Sequence, residues 1–261
     1  MDKREPVTGK SNQVWGEIWR EVNTDDAHII FKHRLLVEGA PIFGRHFPSA
    51  PQTILDIGSG NGRYTFHWAR QFPAATVTAV DISPASVALI NQFAITLGIT
   101  NCTAITADVN HLPFADGSFD VVFCDVVIQH MEEVGQALAE MKRVLKTEGW
   151  LIIAVNNVWS FHTLYKLTLR LLGRAYSYGY EKSYTKRELR QLLTAAGFQV
   201  MAEDGFYPAY GLYRLKIVHP WFGFLGRLVN RLTKLGDKFS GRFFSRYFGM
   251  EILVVARKSS K

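Results

Sequence analysis

Hydrophobic and polar positions change rhythm twice along this chain. Between residues 13 and 47, Trp15, Ile18, Trp19 and Val22, then Ile29, Ile30, Leu35, Leu36 and Phe43, fall at helical spacing, with Asn23-Thr24-Asp25 as a break and cap. From Thr53 short apolar runs alternate with amphipathic segments. They predict strands at 53–57, 76–80, 102–107, 119–124 and 150–155 and helices at about 62–71, 84–97 and 132–146. Short apolar strands separated by helices make an α/β fold, a parallel sheet covered on both faces. Aromatic, basic stretches at 156–180 and 207–249 break this rhythm. Between them, 184–196 predicts an amphipathic helix, capped by Thr185 with Glu188 three residues on and closed by Gly197. Residues 198–203 and 250–258 predict strands, the last an antiparallel return. The chain reads as an N-terminal helical cap, 1–47, and one domain, 48–261, with two lid-like insertions at about 156–180 and 207–249.

Composition narrows the class. With 261 residues, 48% of them hydrophobic, the chain can bury a sizeable core. Cys102 and Cys124 both fall in predicted strands, which reads as buried, reduced thiols in a cytoplasmic protein. MDKREPVTGK has no apolar run behind its charges, so no secretory signal is expected there. The net charge of +7 is uneven: residues 1–158 hold 12 Lys and Arg against 17 Asp and Glu, residues 159–261 hold 18 against 6. One basic face, rather than a uniformly basic surface, follows.

The chemistry gathers where strands end. In ILDIGSGNG, 54–62, a strand closes on Asp56 and is followed by Gly58, Gly60 and Gly62 before a helix begins. Glycine permits the positive φ of so tight a turn, and the amides of the helix start favour an anion. A dinucleotide loop needs glycine at position 63, which is Arg63 here. VTAVDIS ends the next strand on Asp81, where a carboxylate can take both ribose hydroxyls of NAD or of an adenosyl cofactor. Asp108 and Asp125 end the third and fourth strands. Acidic residues therefore converge on one sheet edge, where open α/β sheets bind ligands.

ILDIGSGNG, VTAVDIS, ADVNHLPF, FDVVFCDVVIQHM and MKRVLKTEGWLIIAV resemble, in order and spacing, the class I S-adenosylmethionine-dependent methyltransferases. Within them the resemblance is to the small-molecule group that includes quinone- and sterol-biosynthesis enzymes. It implies a Rossmann-like, seven-stranded, mostly parallel sheet with an antiparallel last strand, and S-adenosylmethionine as cofactor. It further implies that Asp56, Gly58 and Gly60 line the methionine part, that Asp81 holds the ribose and that Ile82 packs on the adenine. Asp108 would accept from the adenine amino group, Val109 would offer its amide, and Cys124 and Asp125 would edge the sulfonium. An NAD-dependent oxidoreductase and a non-catalytic methyltransferase-like subunit are the alternatives.

A base is needed only for a phenol, hydroxyl or acidic carbon acceptor. His130, after the fourth strand, is the candidate, set against a structural role; His162 and His219 are weaker candidates. The fifth strand's end, Ala154-Val155-Asn156-Asn157, is poor in metal ligands, so no metal is expected. In 221–248 basic residues at 227, 231, 234, 238, 242 and 246 flank an apolar series at 221, 225, 228, 232, 235, 239, 243 and 247. That pattern fits a lid packed on the core with a solvated basic face, or a peripheral contact with an anionic membrane surface. Nucleic acid is the less favoured partner. The expected acceptor is a small, apolar or lipid-like molecule.

Overall fold

The computed structural model describes residues 7–21 and 27–259; the break expected at Asn23-Thr24-Asp25 lies outside them. Helix α1 (Val7–Arg20) and helix α2 (Arg34–Gly44) precede the sheet. Strand β1 (Thr53–Ile57) leads into α3 (Arg63–Gln71), β2 (Thr76–Asp81) into α4 (Pro84–Leu97), and β3 (Cys102–Thr106) runs to β4 (Phe119–Asp125). After these come α5 (Gly135–Val144), β5 (Leu145–Asn156), α6 (Phe161–Leu171), α7 (Lys186–Ala195) and β6 (Phe198–Phe206). The chain ends through α8 (Tyr210–Arg214), α9 (Trp221–Phe239), α10 (Phe243–Phe248) and β7 (Glu251–Lys258).

The seven strands lie in the order β3-β2-β1-β4-β5-β7-β6. β7 runs antiparallel to both neighbours, and the pairings from β3 to β5 are parallel. The order reverses between β1 and β4, so a crevice opens at the carboxyl ends of these strands. One apolar cluster, with Phe43, Phe66, Trp68 and Phe123, fills one face of the sheet. The other, with Leu138, Met141, Leu189 and Leu193, fills the opposite face. The antiparallel register seats Glu251 beside Asn156, at the same edge where β1, β2 and β4 end.

Local chemistry explains the boundaries. Ser83 accepts from the Ser86 amide at the start of α4, Pro84 occupies its first position, and Gly98 ends it in the left-handed region. Thr185 and Glu188 form the expected reciprocal capping pair on α7. Three expected segments shift by three residues or more: the helix placed at 132–146 is α5, 135–144, the strand placed at 150–155 begins at Leu145, and the strand placed at 198–203 runs on to Phe206. Leu145 pairs with Phe119 across β4 and is fully buried, so sheet pairing takes the residues that helical periodicity claimed.

The insertions fold as helices. Gly211 lets α8 lie against the first turn of α6, because a Cβ there would strike the Phe161 backbone. Leu212 and Leu215 pack with Tyr165 and Leu169 of α6 and with Phe222, Leu225 and Val229 of α9. On α9 that packing changes the expected stripe. Leu225 turns inward, whereas Trp221, Phe224, Leu228, Leu232, Leu235 and Phe239 are exposed. At about 100° per residue those six fall within one narrow sector of the helix. Arg227, Arg231, Lys234 and Lys238 occupy the adjoining sector and are exposed. The stripe thus faces outward rather than packing on the core. No helix among the described residues is long and apolar enough to cross a membrane.

Candidate active site

A cavity of about 630 Å³ opens at the carboxyl edge of the sheet, within the usual range for small-molecule sites. The glycine loop between β1 and α3 forms one wall. Gly58, Gly60 and Gly62 have φ of 67°, 57° and 76°, which side chains other than glycine's adopt only under strain. A Cβ on Gly58 would strike the Val127 side chain, and one on Gly60 would come within 2.7 Å of Trp19. Positions 58 and 60 therefore have to stay free of side chains against their protein neighbours.

Asp81 ties this loop to β2. One carboxylate oxygen accepts from the Gly60 amide at 2.9 Å, the other from the Ser83 amide at 2.9 Å. It lines the cavity, and burial raises its pKa. Asp108 accepts from the amide and side chain of Asn110, fixing the turn after β3. Asp56, Gly58, Gly60, Ile82, Val109 and Asp125 line the same cavity. Cys124 does not: its side chain is fully buried in the core beside Leu55 and Val122, and burial drives its thiol pKa far up. A strand alternates its faces, so Cys124 and Asp125 at the end of β4 cannot both meet the ligand edge in the same way.

The floor concentrates charge that spacing did not signal. Arg63 opens α3 and donates to Asp125 at 3.3 Å. Glu251, 1% exposed, lies beside Asp125. Burial raises the pKa of both carboxyls, Glu251 the more strongly because the Asp125 charge adds to it. Burial also pushes Asp56 up to about 7, against a hydrogen bond from the Thr65 hydroxyl at 2.5 Å that pulls it down. Val126, directly after Asp125, has φ of 53°, a strained value for a β-branched residue.

The far wall is aromatic and imidazole-rich. His130 Nδ1 lies 2.8 Å from the Tyr180 carbonyl oxygen. A carbonyl only accepts, so Nδ1 carries the proton and Nε2 holds the lone pair. Burial, above all, lowers the His130 pKa, and the Glu181 carboxylate, 3.9 Å from Nε2, opposes that. Trp15 meets His130 edge-on at 5.0 Å and stacks on Tyr178 at 5.9 Å. Glu181 accepts from Tyr176 at 2.8 Å and from Lys166 at 3.0 Å, and sits 3.3 Å from His162 Nε2. His162 lines the cavity; His219 does not. Arg63, Glu251, Glu181 and Tyr210 were missed by sequence reasoning. Glu251, a charge at the head of the apolar run EILVVA, was the one with a visible signal.

Asp56 makes stability depend on pH. Its carboxyl rises from an ordinary 3.8 to about 7 on folding, so its contribution is complete below about pH 4 and is lost as pH climbs through 7. The ligand-free protein should have a lower urea midpoint at pH 8 than at pH 5. Asp56→Asn should reduce that difference, and an unchanged difference would mean Asp56 ionises normally.

Residues 55–153 match the family model described as a methyltransferase domain. The malonyl-[acyl-carrier protein] O-methyltransferase of Geobacter sulfurreducens is 32% identical over 161 residues, covering 59% of each chain. The chain thus spans less than two-thirds of that relative's length. The demethylmenaquinone methyltransferase of Chlamydia trachomatis is 29% identical over 57% of this chain and 67% of its own. Among solved structures, the Haemonchus contortus phosphoethanolamine N-methyltransferase 2, in complex with S-adenosyl-L-methionine, superposes with a TM-score of 0.64. It does so at 19% identity over 94% of this chain and 60% of its own. Residues 55–153 thus carry a methyltransferase domain, and the sheet, wound in this order and closed by one reversed strand, is similar to that of the class I S-adenosylmethionine-dependent methyltransferases.

Proposed function

We propose that this protein transfers the methyl group of S-adenosylmethionine to a small acceptor with an apolar tail, taken up at an anionic membrane surface. One observation carries the first part: a single cavity joins the glycine loop, Asp81 and Asp108 to a wall of His130, Tyr176, Tyr178 and Tyr210. The residues suit the cofactor. Gly58, Gly60 and Gly62 leave the loop backbone bare at alternate positions, and the Asp81 and Asp108 carboxylates would accept from the ribose hydroxyls and the adenine amino group. Gly58 and Gly60 would hold the methionine part, with Asp56 behind them. When bound, the sulfonium supplies an already activated methyl group.

The protein's own task is then mostly positioning, which can contribute roughly 7–11 kcal/mol at the limit. For a hydroxyl acceptor the proton would pass to His130 Nε2, whose lone pair is fixed by the Nδ1–H bond to Tyr180. Trp15, Ile18 and Trp19 line the cavity from α1, and residues 1–47 would act as a cap that excludes water.

The α9 surface supports the membrane part. Its outward sector of Trp, Phe and Leu beside a sector of Arg and Lys is the pattern of an interfacial helix. Each cation near an anionic surface contributes about 1 kcal/mol before any apolar burial. Trp159, Leu164, Leu167 and Leu171 of the neighbouring insertion are exposed as well.

Calorimetry tests the cofactor. S-adenosylhomocysteine should bind and NAD should not, and Asp81→Ala should weaken the former at least tenfold; binding of NAD alone would overturn the reading. Turnover is then sought with labelled S-adenosylmethionine against lipid extracts, read by mass spectrometry. His130→Ala should lower kcat for a hydroxyl acceptor at least a hundredfold with little change in S-adenosylhomocysteine affinity. Vesicles rich in phosphatidylglycerol should sediment the protein at low salt. Reversing Arg227, Arg231 and Lys238 to Glu should abolish that, and no sedimentation of the unaltered protein would sink the membrane part.

A further inference from the structure

Two consecutive residues of one loop hold His130 from both sides of its ring. The Tyr180 carbonyl oxygen accepts from Nδ1 at 2.8 Å, and the Glu181 carboxylate lies 3.9 Å from Nε2. Glu181 is itself pinned. Its side chain is 5% exposed, accepts from the Tyr176 hydroxyl at 2.8 Å and from Lys166 at 3.0 Å, and sits 3.3 Å from His162 Nε2. Burial opposes a charge there, but His162 and Lys166 outweigh it and hold the Glu181 pKa down to about 2. The group that meets His130 is therefore an anion fixed in place.

That geometry suits one protonation state of His130 better than the other. In the neutral ring a lone pair on Nε2 faces an anion, and nothing is gained. Once Nε2 takes a proton, the imidazolium has the Tyr180 oxygen on one nitrogen and a fixed negative charge near the other. An interaction that strengthens as a proton is transferred accelerates that step, whereas one that holds the resting state equally well does not. Other groups around the ring do not supply this. Lys166 of α6 opposes a positive ring, and Trp15 of α1 meets it edge-on at 5.0 Å. Glu132 and Glu133, which follow in the chain and line the same cavity, are exposed and screened by solvent. Resting on the reading of His130 as the base for a hydroxyl acceptor, we propose that Glu181 is a positioning residue for methyl transfer, which stabilises His130 in the protonated form that the acceptor's proton creates. The acceptor O–H bond breaks, its proton passes to Nε2, and its electron pair stays on the acceptor oxygen as the nucleophile. Lys166 and Tyr176 keep the carboxylate where the imidazolium needs it.

The test reads the proton itself and needs no acceptor. The imidazole pKa of His130 is measured by NMR on protein carrying isotope-labelled histidine, its resonance assigned by its absence from His130→Ala. Glu181→Gln should lower that pKa by about one unit or more, as for the loss of an opposite charge at this range. Loosened packing alone would hydrate the buried ring and raise its pKa, so the sign separates the two roles. Lys166→Met should raise the pKa, because the cation that offsets Glu181 is gone. An unmoved or raised value in Glu181→Gln overturns the proposal, as does an unmoved or lowered value in Lys166→Met. Should Glu181→Gln not fold, Glu181→Asp takes its place; with the charge on a shorter arm the pKa should fall by less, and an unmoved or raised value again overturns the proposal. Failure of S-adenosylhomocysteine to bind the unaltered protein in calorimetry would strike the methyl-transfer reading itself, whatever the His130 pKa does.

Discussion

The interaction on which the rest of the site depends is that of one guanidinium with the carboxyls buried around it. Asp56, Asp125 and Glu251 sit at the ligand edge of the sheet with almost no solvent contact. Buried ions are costly unless they are paired or neutralised. Two devices meet that cost here. Arg63 pairs with Asp125, and burial lifts the pKa of Asp56 and Glu251, which favours their neutral forms. Arg63 is also the residue that ends the glycine loop and begins α3. The loop that walls the cavity therefore delivers the cation that makes the acidic floor tolerable.

Strand direction decides which residues share that floor. Parallel strands bring their last residues to the ligand edge, and so Asp56, Asp81 and Asp125 were legible from the ends of apolar runs. A reversed strand brings its first residue instead. The sequence pattern of 250–258 already implied a reversal, and with it that a charge at the head of the run would join the site. Reading each strand by its carboxyl end missed Glu251 for that reason. Its partner Asn156 is 95 positions away in the chain and becomes a neighbour only through the antiparallel register. Cys124 fails in the opposite sense: it is one residue from Asp125, but a strand's alternation sends it into the core.

The helical insertions were legible as amphipathic but not in their orientation. Periodicity says that apolar residues share a face; it does not say whether the face meets protein or solvent. On α9 the answer comes from glycine. Gly223 and Gly226 are buried against Lys216, Tyr213 and Leu212, and a helix approaches its neighbour most closely where side chains are smallest. Those glycines fix the inward sector, Leu225 and Val229 follow it, and the bulky sector with Trp221 and Phe239 is left outside. The His130 environment was hidden for a similar reason. Its tautomer is set by the Tyr180 carbonyl, fifty residues on and in an insertion without strong periodicity.

These two regions are mechanically close. Short α8 lies between α6 and α9, with Leu212 and Leu215 in the packing that holds all three together. Its first residue, Tyr210, lines the cavity, and its ring lies 5.7 Å from that of His162. Only one thin helical layer separates the outward apolar sector of α9 from the wall of the cavity. The helices that leave the α9 rings outside therefore also decide where Tyr210 stands in the cavity wall, so the orientation of the stripe and the shape of the site are set by the same packing.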